Sequence, residues 1–151
     1  MEREPFRIRY YGKQYDDKNG KFYSAQIAIL ENPGDTLQLR IGQSTKDISC
    51  FEPGTGMAPG ENGMYETIYI TNTGHHYLTY ESENDKRADL ISKSGDKLEL
   101  EWKISAAFYQ DKEVQFSELS LSSLYFIIFI DDNLNRIIDK DELRIVNAIF
   151  R

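Results

Sequence analysis

Alternation of apolar and polar residues along most of the chain predicts β strands. The clearest case is residues 97–104, where four apolar side chains alternate with four charged ones, and residues 36–41 and 6–10 show the same period of two. Successive side chains of a strand point to opposite faces, so this pattern is typical of a strand with one buried face. Segments rich in aromatic and β-branched residues predict further strands at 23–30, 64–71 and 77–81.

Turn-forming residues separate these segments. Asp16–Gly20 ends in an Asn-Gly pair typical of a hairpin, and Asn32–Asp35 and Ser94–Asp96 have the composition of tight turns. The segment Leu124–Ile130 is apolar throughout, which is typical of a central strand covered on both faces. Short strands at close spacing, without helical segments between them, favour antiparallel pairing.

The end of the chain predicts a helix. Its apolar residues recur at a spacing that would place them on one helical face: Leu143, Val146, Ile149 and Phe150. We therefore predict an all-β fold, an antiparallel β-sandwich of the Ig-like or jelly-roll-like kind, with one short C-terminal helix. A single domain is expected to span residues 1–151, with the helix at about residues 139–150.

Length and composition narrow the possible functions. The 151 residues can bury one sizeable core. With 18 Lys and Arg against 25 Asp and Glu, the net charge is −7, which argues against a nucleic-acid-binding protein. The chain has no run of 18 apolar residues, so we predict no membrane span. A single cysteine, Cys50, excludes an internal disulfide, and with only His75 and His76 it gives too few ligands for a Cys/His zinc site.

One segment carries oxygen-bearing side chains at regular intervals. Residues 131–142 read Asp-Asp-Asn-Leu-Asn-Arg-Ile-Ile-Asp-Lys-Asp-Glu. This segment resembles the EF-hand calcium-binding loop, a twelve-residue loop with ligands at its first, third, fifth, seventh, ninth and twelfth places. The resemblance implies one calcium ion, Ca²⁺, as cofactor. It implies these ligands: Asp131, Asn133, Asn135, Ile137 through its backbone carbonyl, Asp139 and Glu142.

The segment departs from the EF-hand pattern in two ways. The sixth place, where the family has a glycine at positive φ, holds Arg136, for which that conformation costs about 1 kcal/mol. The loop also follows a predicted strand, which makes it similar to the strand-loop-helix variants of extracellular bacterial proteins. No second loop is present to pair with Ile138, the apolar eighth residue. We therefore expect weak binding, with a dissociation constant of about 10⁻⁴ to 10⁻³ M.

A turn without a metal is the alternative interpretation of these twelve residues. Asp139 and Glu142 have the spacing of a capping box, which would start the predicted helix without an ion. The Asp and Asn residues before them also favour turns. However, the segment holds five acids and two basic residues, a local net charge of −3, and a cation would relieve the repulsion among them.

Several functional classes follow from these observations. No catalytic motif is present, so we predict a protein that is not an enzyme: a calcium-binding β-sandwich interaction module with a protein partner. Weak calcium affinity suits the periplasm or the cell exterior, so we expect export with the leader removed, although residues 1–5 carry no leader and a cytoplasmic location stays open. The alternative is a small acidic inhibitor or immunity-type protein. An enzyme with Pro53–Gly63 as a lid is a third possibility.

Overall fold

The computed structural model describes residues 2–36, 39–57 and 66–151. Within these ranges the chain forms thirteen β strands, and its only helical segments are short 3₁₀ turns. The predicted all-β class is therefore confirmed. The strands are β1 Phe6–Gly12, β2 Ala25–Leu30, β3 Gly56–Met57, β4 Thr67–Tyr69, β5 His75–Leu78, β6 Tyr80–Ser82, β7 Asp85–Lys86, β8 Asp89–Ser94, β9 Lys97–Ile104, β10 Ala106–Tyr109, β11 Lys112–Gln115, β12 Ser123–Ile130 and β13 Leu143–Ile149.

The strands form several sheets with mostly antiparallel pairing. The largest described sheet has five strands in the order β13-β12-β2-β5-β3. Two three-stranded sheets have the orders β1-β9-β8 and β11-β10-β4, and β6 pairs with β7. The pairs β3–β5 and β4–β10 are parallel, and the other strand pairs are antiparallel.

Strand β9 has the predicted bounds and the predicted buried face. Its four alternating apolar residues, Leu98, Leu100, Trp102 and Ile104, all lie in the main hydrophobic core. The same core contains Phe126 and other residues of β12, so it joins the β1-β9-β8 sheet to the five-stranded sheet. Period-two patterning therefore located this face of the core correctly.

Strand β12 is the central strand that its apolar sequence predicts. It pairs with β13 on one edge and with β2 on the other. Leu124, Phe126 and Ile128 lie in the main core, whereas Ile127 and Phe129 lie in a second buried cluster. Both faces of the strand are covered, so alternate residues are buried on opposite sides.

The predicted C-terminal helix is wrong. Residues Leu143–Ile149 form strand β13, which pairs antiparallel with β12 from Leu143 against Phe129 to Ile149 against Ser123. The four apolar residues at helical spacing do not share one face of this strand, because Leu143 and Ile149 lie on one face, Val146 lies on the other and Phe150 follows the end of the strand. Seven positions of the segment pair with β12, and this long-range pairing is absent from any local sequence pattern.

The predicted strand at 36–41 is also wrong over its described part. Residues 39 and 40 have no regular structure and residue 41 lies in a turn, while residues 37 and 38 are outside the described ranges. The predicted strand at 77–81 is divided between β5 and β6. Residues 64 and 65 of the predicted strand 64–71, and residues 58–63 of the predicted loop Pro53–Gly63, lie outside the described residues.

Within the described ranges, no helix has the length and the apolar character that crossing a lipid bilayer requires.

Candidate functional site

Residues 131–142 connect the central strand β12 to the edge strand β13. The connection is closed at its base by the backbone, because the amide of Ile130 donates to the carbonyl of Glu142 at 3.0 Å. The first and the last residues of the connection, Asp131 and Glu142, are buried acids, exposed by only 7% and 9%. The predicted first and twelfth ligand positions therefore lie next to each other, where the loop leaves the sheet and returns to it.

The carboxylates of Asp131 and Glu142 organise the backbone of the loop. Asp131 accepts from the amides of Asn135 at 3.2 Å and Arg136 at 2.7 Å. Glu142 accepts from the amides of Asp132 at 2.9 Å and Asp139 at 3.0 Å. Hydrogen bonds from backbone N–H groups to an ionised acceptor are among the stronger ones in proteins. These two side chains therefore hold the loop curled around its own interior.

The third, fifth and ninth positions meet at a single oxygen. The side-chain amides of Asn133 and Asn135 both donate to the same carboxylate oxygen of Asp139, each at 2.8 Å. Their own carbonyl oxygens accept from the backbone amides of Asn135 at 3.2 Å and Ile137 at 2.9 Å. The three side chains thus converge, with amide nitrogens facing the carboxylate.

The seventh residue presents its backbone to the loop interior. Thr45 donates from its amide to the carbonyl of Arg136 at 3.0 Å, and Ile138 donates to the carbonyl of Gln43 at 2.9 Å. These bonds flank the bridge between Ser44 and Ile137. In such an antiparallel pair, the N–H and C=O groups of the central residue point away from the partner. The carbonyl of Ile137 therefore points to the same side as the N–H group of Ile137, which donates to the side-chain oxygen of Asn135.

The eighth residue has a pairing partner that the sequence did not reveal. Ile138 is fully buried in the second cluster, and its carbonyl accepts from the amide of Gly42 at 2.7 Å. The pairing segment, residues 42–45, reads Gly-Gln-Ser-Thr and contains no acidic residue, so it does not resemble a second calcium loop. The apolar residue at the eighth place indicates that the loop pairs with another backbone segment, but it does not indicate which segment of the chain that is.

Positive φ angles are concentrated in this loop. Arg136, at the sixth place, has φ 59°, and Leu134 and Asp141 have φ 57° and 69°. The chain therefore takes the left-handed conformation at the sixth place even though the residue there has a side chain. Each such residue stores about 1–2 kcal/mol of backbone strain, which the surrounding hydrogen bonds must offset.

Charge near the loop comes from both its own acids and a neighbouring lysine. Lys13, after the end of β1, donates to the carbonyl of Asp132 at 3.2 Å and lies 3.5 Å from its carboxylate. On this side, the loop faces β1 and the β8–β9 turn across an open cleft of about 870 Å³. Tyr10 also lines this cleft, and its buried hydroxyl has no hydrogen-bond partner among the described residues.

The donor atoms of the loop suit a hard cation only in part. All five side chains at the implied positions carry oxygen, the element that Ca²⁺ prefers. Yet among the described residues, no three side chains of histidine, cysteine, aspartate or glutamate are placed so that they would hold a metal ion. A cation at this loop would also need the oxygens of Asn133 and Asn135, and both amides would have to turn from their present orientation.

The two histidines lie away from the loop and on opposite faces of β5, as neighbours in a strand must. His75 donates from Nδ1 to the carbonyl of Cys50 at 2.7 Å, and burial lowers its pKa. His76 accepts from the amide of Tyr69 at 2.9 Å, and burial lowers its pKa to about 3. These contacts give both rings structural roles within the sheet.

Comparison with known proteins gives no assignment. No family model matches the chain, and no curated protein or solved structure matches it either.

Proposed function

We propose that this protein is a non-enzymatic interaction module that binds one calcium ion in the loop 131–142. The five-stranded sheet and the β1-β9-β8 sheet both contribute to the main core, which supports a sandwich architecture of the Ig-like or jelly-roll-like kind. The observation that carries the calcium proposal is the convergence of the loop's oxygen-bearing side chains. Asn133 and Asn135 meet at the carboxylate of Asp139, and the carboxylates of Asp131 and Glu142 bind backbone amides of the same loop. The ligands would be Asp131, Asn133, Asn135, the carbonyl of Ile137, Asp139 and Glu142.

The arrangement of the amides explains why binding would be weak. Two amide groups now supply the partial positive charge that faces Asp139, and a cation would have to replace them. Bound Ca²⁺ would supply a full positive charge to a loop of net charge −3 and would connect the end of β12 to the start of β13. The ion would thus stabilise a strand connection rather than the helix that the sequence predicted.

Weak affinity also supports a location with abundant calcium. A dissociation constant of about 10⁻⁴ to 10⁻³ M is typical of extracellular calcium modules. We therefore propose that the protein acts in the periplasm or outside the cell. The alternative of an acidic inhibitor or immunity-type protein stays a prediction that rests on the net charge of −7.

Isothermal titration with CaCl₂ tests the calcium site. The wild type should bind with a dissociation constant of about 10⁻⁴ to 10⁻³ M. Asp139→Asn should weaken binding at least about tenfold, because it removes a charged ligand but keeps one oxygen to accept from the two amides. Arg136→Gly should tighten binding, because glycine takes positive φ without a steric cost.

The control is Glu113→Gln, which removes an exposed acid on β11, outside the loop. It should leave the titration unchanged. A wild type that gives neither heat nor a change in melting temperature with CaCl₂ contradicts the proposal, and so does an Asp139→Asn variant that binds as tightly as the wild type.

A further inference from the structure

One face of the five-stranded sheet is apolar for part of its length and then becomes polar. On β2, Ala28 and Leu30 point into the second buried cluster. Gln26 lies on the same face, because side chains two residues apart in a strand share a face. It pairs with Tyr77 of β5, and His75 continues this polar surface on the same strand. The apolar cluster therefore ends where these polar side chains begin.

A pocket of about 500 Å³ opens over the polar part of this face. Its volume lies within the range of about 300–1,000 Å³ that is typical of small-molecule sites. Strands β2 and β5 contribute side chains to it, together with the turn before β3 and the loop 131–142. We call it the β5 pocket, and the lining residues that decide its chemistry are Phe22, Gln26, Glu52, Gly56, His75 and Tyr77.

Two polar groups of the β5 pocket have no hydrogen-bond partner among the described residues. His75 is only 8% exposed, and burial lowers its pKa, so the ring is neutral. Its Nδ1 donates to the carbonyl of Cys50, which leaves Nε2 as an acceptor without a donor. The unpaired side-chain amide of Gln26 offers both a donor and an acceptor. These groups favour a ligand that can donate as well as accept hydrogen bonds.

Gly56 keeps the space beside His75 open. It is the partner of His75 in the parallel pairing of β3 with β5. A Cβ atom at this position would lie 3.4 Å from Nε2 of His75 and 3.0 Å from Cδ1 of Tyr77. A larger residue would therefore crowd two of the side chains that line the pocket. Glycine thus leaves room for a ligand group next to Nε2.

Aromatic rings give the β5 pocket an apolar surface beside these polar groups. Phe22 is 54% exposed, and its ring lies 5.9 Å from that of Tyr15. The ring of Tyr77 is held by the guanidinium group of Arg87, which lies 4.0 Å from its centroid. The face of an aromatic ring carries a partial negative charge and packs well against weakly polarised C–H groups. An exposed ring among hydrogen-bonding groups favours a ligand with both an apolar face and polar edges.

The free charges of the β5 pocket balance each other. The carboxylate of Asp131 already accepts from two backbone amides of the loop 131–142. The other charged side chains that line the pocket are one acid, Glu52, and one base, Arg136. The pocket therefore favours neither an anion nor a cation, and the net charge of −7 further disfavours an anion.

We propose that the β5 pocket binds a neutral saccharide. A sugar hydroxyl both donates and accepts hydrogen bonds, so the hydroxyls of one ring can pair with Nε2 of His75 and with the amide of Gln26. The C–H face of the same ring packs on Phe22. A purely aromatic ligand would leave the polar groups unpaired, which weakens binding. The inference goes beyond the proposed function and does not require the calcium ion.

Saturation-transfer difference NMR tests this proposal with three neutral trisaccharides: cellotriose, maltotriose and triacetylchitotriose. The buffer contains EGTA, so the result does not depend on calcium. At least one trisaccharide should receive saturation from the wild type, with a signal that reaches a plateau as its concentration rises. The comparison ligands are p-cresol, an aromatic compound, and trigalacturonate, an anion. Binding of only p-cresol or only trigalacturonate overturns the proposal, and so does a lack of binding by all three neutral trisaccharides.

Two variants in the β5 pocket and one outside it locate the bound sugar. Phe22→Ala should weaken binding about tenfold, because it removes the ring on which the sugar packs. Gln26→Leu should weaken binding about fivefold, because it removes hydrogen bonds to the hydroxyls. Tyr11→Ala is the matched control, since its ring is 52% exposed and lines the cleft beside β1. It should leave binding unchanged.

The stability of Gln26→Leu separates a binding role from a structural one. Gln26 has no side-chain hydrogen bond to lose among the described residues, so urea denaturation should show this variant to be at least as stable as the wild type. Unchanged binding by either folded pocket variant, or a loss in Tyr11→Ala as large as that in Phe22→Ala, overturns the proposal. Circular dichroism checks folding, and Gln26→Leu decides the question if Phe22→Ala is not folded.

The sugar and calcium proposals can fail separately. Sugar binding is measured in EGTA, and the calcium titration is measured without sugar. A failed calcium titration with intact sugar binding removes only the metal proposal, and the reverse result removes only the saccharide proposal.

Discussion

Buried histidine makes the stability of this protein sensitive to acid at the scale of one residue. His76 is fully buried, with its ring 5.0 Å from that of Trp102, and its Nε2 accepts from Tyr69. The acceptor role requires the neutral ring with its proton on Nδ1, which has no hydrogen-bond partner among the described residues. Protonation would place a charge in this apolar environment, so the sheet favours the neutral form.

The free energy of unfolding should therefore decrease with acid. The pKa of His76 is about 3 in the folded chain, against an ordinary value of 6.5. Between these values, the unfolded chain binds a proton that the folded chain excludes. Stability is retained above about pH 6.5 and is lost as the pH falls towards 3, by up to about 1.4 kcal/mol per pH unit.

Urea denaturation of the wild type and His76→Gln at pH 7, 6, 5 and 4 measures this loss. Glutamine can still accept from Tyr69 but does not titrate, so the variant should lose less stability than the wild type between pH 6 and pH 4. His75→Gln is the matched comparison, with a smaller effect expected because the Cys50 carbonyl opposes the pKa shift of His75. Parallel pH profiles for wild type and His76→Gln would show that this histidine is not responsible.

At the scale of elements, the sequence predicted strands best where one pattern was unambiguous. Strand β9 alternates strictly and was found with its correct bounds, and β12 is apolar throughout and was found within one residue. The apolar residues near the end of the chain suggested a helical spacing, but residues 143–149 form a strand that pairs with β12, and no local pattern encodes that pairing. Residues 39–41 alternate but are not paired, since alternation alone does not supply a neighbouring strand.

Some features of the candidate site follow from the spacing of residues within the loop, and others depend on contacts between residues that are far apart in the sequence. Spacing alone indicated which side chains of residues 131–142 would converge, because a short curled loop brings alternate residues to one side. The hydrogen bonds of Ile138 with Gly42 and Gln43 join positions about 95 residues apart, and the contact of Lys13 with Asp132 joins positions 119 residues apart. Contacts of that kind depend on the whole topology.

The pairing of the loop with residues 42–45 should be a major source of its stability. Ile138→Ala should lower the free energy of unfolding by about 2–5 kcal/mol, because it leaves a cavity in the second cluster. Ile137→Ala is the matched control, since that side chain is 37% exposed and should cost less than about 1.5 kcal/mol. Chemical denaturation measures both variants, and equal losses would mean that Ile138 does not anchor the loop.

At the scale of the whole molecule, one sheet organises the rest. The five-stranded sheet contributes to both buried clusters, and the candidate calcium loop connects its adjacent strands β12 and β13. The packing of the core and the proposed metal site therefore depend on the same pair of strands.

Complete coverage of β12 has a consequence for the chain before it is folded. Residues 124–130 read Leu-Tyr-Phe-Ile-Ile-Phe-Ile, with no charge, no proline and no glycine. Seven-residue stretches of this composition assemble readily into intermolecular cross-β structure when they are solvent-exposed. A newly synthesised or denatured chain must therefore bury this segment by folding before it associates with another chain. Recovery of native protein from denaturant should therefore decrease as the protein concentration rises, with precipitation accounting for the difference.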